Sequence, residues 1–169
     1  MYYYSKEFEN INYTIESISE VIREKVNDIL IQEWEATDII IRGAVIDGTK
    51  LDGFVALDGE KIIGLITYML EEGECEICSL NSFIENRGIG TSLINKVIEI
   101  AKGKKCTKIK LITTNDNIRA IGFYQRRGFI FANIYKNAIE DSRKIKPEIP
   151  MFAENGIQIR DEIEFEIIL

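Results

Sequence analysis

Arg87-Gly88-Ile89-Gly90-Thr91 stands between a strand-like stretch and an amphipathic one, and its reading decides the fold. On its carboxyl side Leu93, Ile94, Val97, Ile98 and Ala101 recur at helical spacing, which predicts a helix from about Gly88 to Gly103 with one buried stripe. On its amino side Glu74 to Phe83 reads as a strand. A strand that runs through glycines into the first turn of a helix leaves bare main-chain amides at its end, a cradle of anion size. Gly88 and Gly90 let the backbone, with the Ile89 amide between them, approach phosphate oxygens without a Cβ in the way. Thr91 can donate a hydroxyl and Arg87 can supply charge. A glycine-containing turn with no ligand explains the segment equally well when it is taken alone.

Downstream, a β-branched strand from Lys108 to Thr114, a helix from Asn117 to Arg127 and a strand from Phe129 to Tyr135 complete a β-α-β-α-β run. Gly128 fits the left-handed residue that ends a helix. Upstream, Gly53–Leu57, the Asp58-Gly59 turn, Lys61–Leu70 and the strand after Glu72-Gly73 form an antiparallel meander. Before it come a short strand, Asn12–Glu16, and a helix from about Ser19 to Glu33, capped by Ser17 or Ser19. That helix carries the stripe Val21, Ile22, Val26, Ile29 and Leu30, with Trp34 packing at its end. The stretch from Ala36 to Leu51 reads both as strand, through Ile39-Ile40-Ile41, and as loop, through Asp47-Gly48, and stays undecided. The end holds a helix around Asn137–Lys144, an irregular segment and a final strand in which Ile159, Ile163, Phe165 and Ile167 share a face. The expected architecture is an α+β domain spanning residues 1–169, with a central mixed, mostly antiparallel sheet of about seven strands and helices on both faces.

A chain of 169 residues, 46% hydrophobic and with two prolines, buries one sizeable core but not two comfortable ones. Its 21 basic and 28 acidic residues give a net charge of −7, which argues against nucleic acid as a partner. Met1 to Glu7 lacks the basic and apolar regions of a secretory signal, and no uncharged apolar run approaches membrane-spanning length. The expected location is cytoplasmic, which three cysteines without a pairing pattern also fit. Cys75 and Cys78 lie three apart in a strand and point to opposite faces, and with no histidine in the chain no metal site is expected.

Asn117, Ala120 and Tyr124 stand three and four residues apart and form one stripe on the second helix of that run. Asn117 could cap the helix and bond a ligand, Ala120 would admit an extended ligand, and Tyr124 could give a proton. The same residues also fit a cap, a packing contact and a half-buried core aromatic.

With both constellations in view, the chain resembles the GNAT superfamily of acyl-CoA-dependent N-acyltransferases, from about residue 12 onward. Members pair an R/Q-x-x-G-x-G/A loop with a downstream N-x-x-A-x-x-F-Y-x-x-x-G-F segment, here Glu85 through Gly90 and Asn117 through Phe129. The loop departs at Glu85, where Arg or Gln is usual, and at Asn86, where Gly is frequent. A carboxylate beside a pyrophosphate repels it, so Glu85 is expected to point away. The resemblance implies acetyl-CoA as cosubstrate. It also implies that the backbones of Leu80 and Ser82 hold the pantetheine arm, with the Leu80 amide polarising the thioester carbonyl. The strands bearing Glu74–Phe83 and Lys108–Thr114, fourth and fifth in the family's order, are expected to splay apart to receive it.

Acyl transfer to an amine needs a base, a donor for the developing oxyanion and an acid for the departing thiolate. Tyr124 is the acid on the family pattern. Glu76, on the strand that presents the thioester and on one face with Cys78 and Leu80, is the first candidate base, although an exposed strand glutamate reads the same way. Asp161 is the second, because strand parity sets it on an apolar face, where a buried salt bridge is the other explanation. A covalent route through Cys78 is a further possibility. The expected function is N-acetyl transfer to a primary amine by direct attack, with a non-catalytic acyl-CoA sensor as the alternative and a nucleotide-binding protein behind it. Glu76, Asp161 and Glu162 favour a small cationic acceptor, small molecule or peptide, and a homodimer is common among similar proteins.

Overall fold

The computed structural model describes residues 12–169, so the Met1–Glu7 stretch lies outside the described residues. In chain order the elements are β1 (Thr14–Ser17), α1 (Glu20–Trp34), β2 (Asp38–Ile41), β3 (Ala44–Asp47), a 3-10 turn (Gly48–Lys50), β4 (Asp52–Asp58), β5 (Lys61–Glu71) and β6 (Glu74–Ser82). They continue with α2 (Ile89–Gly103), β7 (Lys108–Thr114), α3 (Ile118–Gln125), β8 (Ile130–Tyr135), α4 (Ala138–Ile145) and β9 (Glu162–Ile168). Seven strands form one mostly antiparallel mixed sheet, as the sequence predicts; its order is β1-β4-β5-β6-β7-β9-β8, and all neighbours are antiparallel except β6 and β7.

That parallel pair is short. Glu74 to Ile77 pair with Lys108 to Leu111, and pairing stops there, although both strands run on. Beyond Ile77, β6 keeps only β5 as a neighbour, and beyond Leu111, β7 keeps only β9. The facing edges of the two strands therefore carry backbone groups without a ladder partner, which is the splay the family pattern implies.

Helices α2 and α3 cover one face. Leu93, Ile94, Val97 and Ala101 of α2 and Tyr124 of α3 join Ile66, Cys75, Ile77, Leu111 and Phe165 of the sheet in the main core. Helix α1 covers the other face with Val26 and Leu30, both fully buried against Val55 and Leu65. Burial of this kind contributes roughly 1.5–3 kcal/mol per side chain. Val21, expected in the α1 stripe, is instead 88% exposed, and the buried stripe is carried by Ile22, Val26, Ile29 and Leu30.

The undecided stretch resolves as the hairpin β2–β3, a two-stranded sheet of its own with Arg42 and Gly43, both at positive φ, at its turn. This is the backbone that a two-residue loop of right-handed twist demands. Ile39 and Ile41 pack on Leu51 and Cys78 on the α1 side of the main sheet.

Two strand readings need correction. The pairing of β5 with β6 slips between Thr67/Ser79 and Tyr68/Ile77, leaving Cys78 as a bulge residue. A bulge reverses face parity, so Leu80 packs toward α2 while Cys78 packs toward the hairpin, and Glu76 and Leu80 do not share a face. The final strand begins at Glu162, so Ile159 and Asp161 precede it and alternation says nothing about where they point.

Candidate active site

At the mouth of the splay a cleft of about 440 Å³ opens between α2, α3 and the end of β6. Leu80 and Ser82 line it from β6, Arg87 through Thr91 from the loop and the first turn of α2, and Asn117, Ala120 and Tyr124 from α3. All ten residues predicted to hold the coenzyme thus meet in one place.

Gly88 is the N-cap of α2 at φ +74, a conformation that costs other residues about 1–2 kcal/mol. No side chain caps the helix, so the amides of its first turn are left for whatever enters the cleft. Gly90 serves packing: a Cβ there would stand 3.0 Å from the Phe123 ring, so its missing side chain lets α3 close on α2. Arg127 fastens the same joint. Its Nε and Nη2 donate to Thr91 Oγ1 at 2.9 and 2.6 Å, and its guanidinium carbon lies 3.3 Å from the centre of the Phe123 ring. Because Thr91 Oγ1 accepts from Arg127, its own proton is left to donate elsewhere.

Glu85 lies at the rim, and Arg119 Nη1 donates to its Oε1 at 2.5 Å. That hydrogen bond, with the charge behind it, holds the Glu85 carboxyl below its ordinary range. The departure from the family loop is therefore offset by an arginine on α3. Arg87, Arg119, Arg126 and Arg127 together set four guanidinium groups around a cleft with one carboxylate, in a chain of net charge −7. Of these only Arg87 was foreseen; the spacing of four between Phe123 and Arg127 was the available sign that Arg127 would turn back along its helix.

The Asn117 side chain accepts from the Ala120 amide at 3.1 Å and caps α3. Tyr124 is 9% exposed, packed edge-on against Phe123 and Phe129 and tilted against Phe165. Burial pushes its phenol up to about 12, so it holds its proton throughout the physiological range.

The candidate bases lie elsewhere. Glu76 is 3% exposed, on the hairpin side of β6, where Arg42 Nη2 donates to its Oε2 at 3.2 Å. The same guanidinium donates through Nη1 to Glu164 Oε2 at 3.1 Å, and the Arg42 amide donates to Glu162 Oε2 at 3.2 Å. Tyr135 also donates to Glu164, at 2.7 Å. Arg42 at the hairpin turn is thus the hub of three buried carboxylates. Burial works to lower its pKa, and Glu76 first among the acids more than reverses this. Asp161 is not held on an apolar strand face. One oxygen accepts from the Asn137 amide at 2.9 Å and both accept from Arg160, at 2.9 and 2.7 Å, a salt bridge that ties the start of α4 to the approach of β9.

A second cavity, of about 310 Å³, lies under the hairpin and α4, and Asn117 lines both it and the cleft. Cys78 lines this second space, and burial pushes its thiol up to about 12, which leaves little thiolate for a covalent route at neutral pH.

The chain belongs to the acetyltransferase (GNAT) family, whose model matches residues 16–129. It is 47% identical over 152 residues to the uncharacterized protein YdhI of Bacillus subtilis (strain 168), covering 89% of this chain and 95% of that one. Among solved structures it resembles the IAA acetyltransferase of Bacillus cereus ATCC 14579, with a TM-score of 0.72 and 23% identity over 94% of this chain and 100% of that chain. A GNAT family acetyltransferase of Elizabethkingia anophelis with acetyl-CoA bound matches with a TM-score of 0.69 and 23% identity, covering 96% and 100% of the two chains. At this identity the solved structures establish the fold alone. Among the described residues no helix is long and apolar enough to cross a membrane.

Proposed function

We propose that the protein transfers the acetyl group of acetyl-CoA to a primary amine by direct attack of the amine on the thioester. The observation that carries this reading is the cleft at the splay, where an uncapped helix start, four arginines and the unpaired edge of β6 meet beside Tyr124. The diphosphate takes the amides of Ile89 to Thr91, the Thr91 proton and the arginine charge. The pantetheine arm runs along the backbone of Leu80 and Ser82, adding itself where β7 has left β6. Ala120 leaves room for it on α3. Bound acetyl-CoA supplies an activated acyl group and a thiolate leaving group.

Tyr124 protonates that thiolate. Its high pKa keeps the proton in place through the neutral range, and since a thiol is the stronger acid, the transfer goes forward as the proton shed by the attacking nitrogen replaces the one that Tyr124 gives up. Glu76 is a poor base in this arrangement, since its strand face is turned from that of Leu80 and its Oε2 is paired with Arg42.

The test is a thiol-release assay of the purified protein with acetyl-CoA against a library of amines, run beside calorimetric titration with coenzyme A. Turnover with at least one amine is the expected result. Tight coenzyme binding with no turnover across the library would favour an acyl-CoA sensor instead.

A further inference from the structure

The second cavity has walls that are mainly apolar, with Ile39 from β2, Ile112 from β7, Ile139 from α4 and Ile149 from the segment after it. Two polar groups inside it stand out. Glu162 is 3% exposed, and burial raises its pKa although the Arg42 amide and guanidinium pull the other way. Ser142 is 2% exposed, and its Oγ has no hydrogen-bond partner among the described residues. An orphaned buried hydroxyl is destabilising unless something that enters the cavity bonds it. The local charge is unbalanced as well: the Arg42 guanidinium pairs with Glu76 and Glu164, Lys110 approaches Glu76 to 3.8 Å, and Glu162 has only the Arg42 main-chain amide, with no ion pair among the described residues. Other charges at this cavity are engaged or peripheral. Lys146 donates to the Trp34 carbonyl, and Asp38 is exposed.

We infer that this cavity takes the acceptor, that the acceptor is a monoamine on an apolar body, and that Glu162 with Ser142 Oγ receives its ammonium group. The inference rests on the acetyltransferase reading for the chemical step after binding, and on the cavity alone for the binding itself. An ammonium supplies the positive charge that Glu162 lacks and a donor for the orphaned hydroxyl, while the isoleucine walls remove the body from water. A polyamine would bury further charges against those walls without partners. Asn117, common to both spaces, marks where acceptor and thioester meet.

The step balances. Glu162 takes one proton from the ammonium and later gives it to water. The neutral amine forms the C–N bond as the C–S bond breaks. The second proton shed by nitrogen replaces the one that Tyr124 gives the thiolate.

Calorimetric binding to the CoA-loaded protein tests this with 2-phenylethylamine, its uncharged analogue 2-phenylethanol, and spermidine. The expected order is phenylethylamine at least about tenfold tighter than either of the others, the scale of one charge-assisted contact. Glu162→Gln should weaken phenylethylamine about tenfold and leave phenylethanol unchanged. Ile149→Trp, at a half-buried wall position away from the carboxylates, should abolish binding of both while coenzyme affinity is retained. Spermidine binding more tightly than phenylethylamine, or unaltered phenylethylamine binding in Ile149→Trp, would overturn the proposal. Phenylethylamine that binds as expected but releases no thiol would instead count against the acetyltransferase reading and leave the cavity assignment standing.

Discussion

Tyr124 joins structure to chemistry at one atom. Its ring is held by Phe123, Phe129 and Phe165, so Tyr124→Phe keeps the packing and removes only the hydroxyl. The expected outcome is a fall in kcat of about a hundredfold with coenzyme affinity unchanged, read from steady-state rates beside a binding titration. A variant as active as the parent would remove Tyr124 from the mechanism. The same phenol gives a stability signature. Its pKa is raised on folding from about 10 to about 12, so the native state binds the proton more tightly, and the contribution, complete below pH 10, is lost as pH rises through 12. Chemical denaturation of the parent and Tyr124→Phe between pH 9 and about 12 should show the parent losing stability more steeply. Gly88 and Gly90 look alike in the sequence but answer to different constraints. Gly88→Ala strains a φ of +74, whereas Gly90→Ala drives a methyl into Phe123. The first should cost about 1–2 kcal/mol in thermal or denaturant unfolding. The second should shift α3 and weaken coenzyme binding, seen by titration.

At the scale of elements, the hairpin β2–β3 owes its place over the sheet to Arg42 as much as to Ile39 and Ile41. Arg42→Ala leaves buried carboxylates without their cation, a loss of about 3 kcal/mol at neutral pH. The sign of its pH dependence follows from Glu162, whose pKa burial already raises and which then keeps the main-chain amide at position 42 but loses the nearby positive charge. A raised acid binds its proton more tightly when folded, so the deficit of the variant should shrink as pH falls from 7 toward 4.5. Urea unfolding at several pH values measures this, and a deficit independent of pH would mean that the carboxylates do not depend on Arg42. Alternation and helical spacing made most elements legible, including α2, α3 and the meander. The hairpin was not legible, because four-residue strands flanked by polar residues carry too few repeats to separate from loop. The bulge at Cys78 was invisible for another reason: nothing in Glu74 to Ser82 marks where the β5 ladder skips a residue, and that skip decides which face Leu80 takes.

Across the whole molecule, charge is segregated. A chain of net −7 concentrates four arginines at the cleft between α2 and α3, the proposed coenzyme site, and three carboxylates on the hairpin side of the sheet. Coenzyme affinity should therefore fall as ionic strength rises, since the Debye length shrinks from about 10 Å at 0.1 M salt to about 3 Å at 1 M. Titration with coenzyme A across that range checks it, and a flat response would mean that the arginines do not face the phosphates. The sequence by itself determined the family, the order of the major elements and the ten residues that meet at the cleft, because these depend on local spacing: glycines where amides must be bare, and a stripe of three and four on a helix. Only the tertiary structure decided that Arg119 neutralises Glu85, that Asp161 belongs to Arg160 and that Glu76, Glu162 and Glu164 share Arg42. Ion pairs such as Arg42 with Glu164 join residues up to 122 positions apart, and no periodicity reports which distant strands the fold will lay side by side.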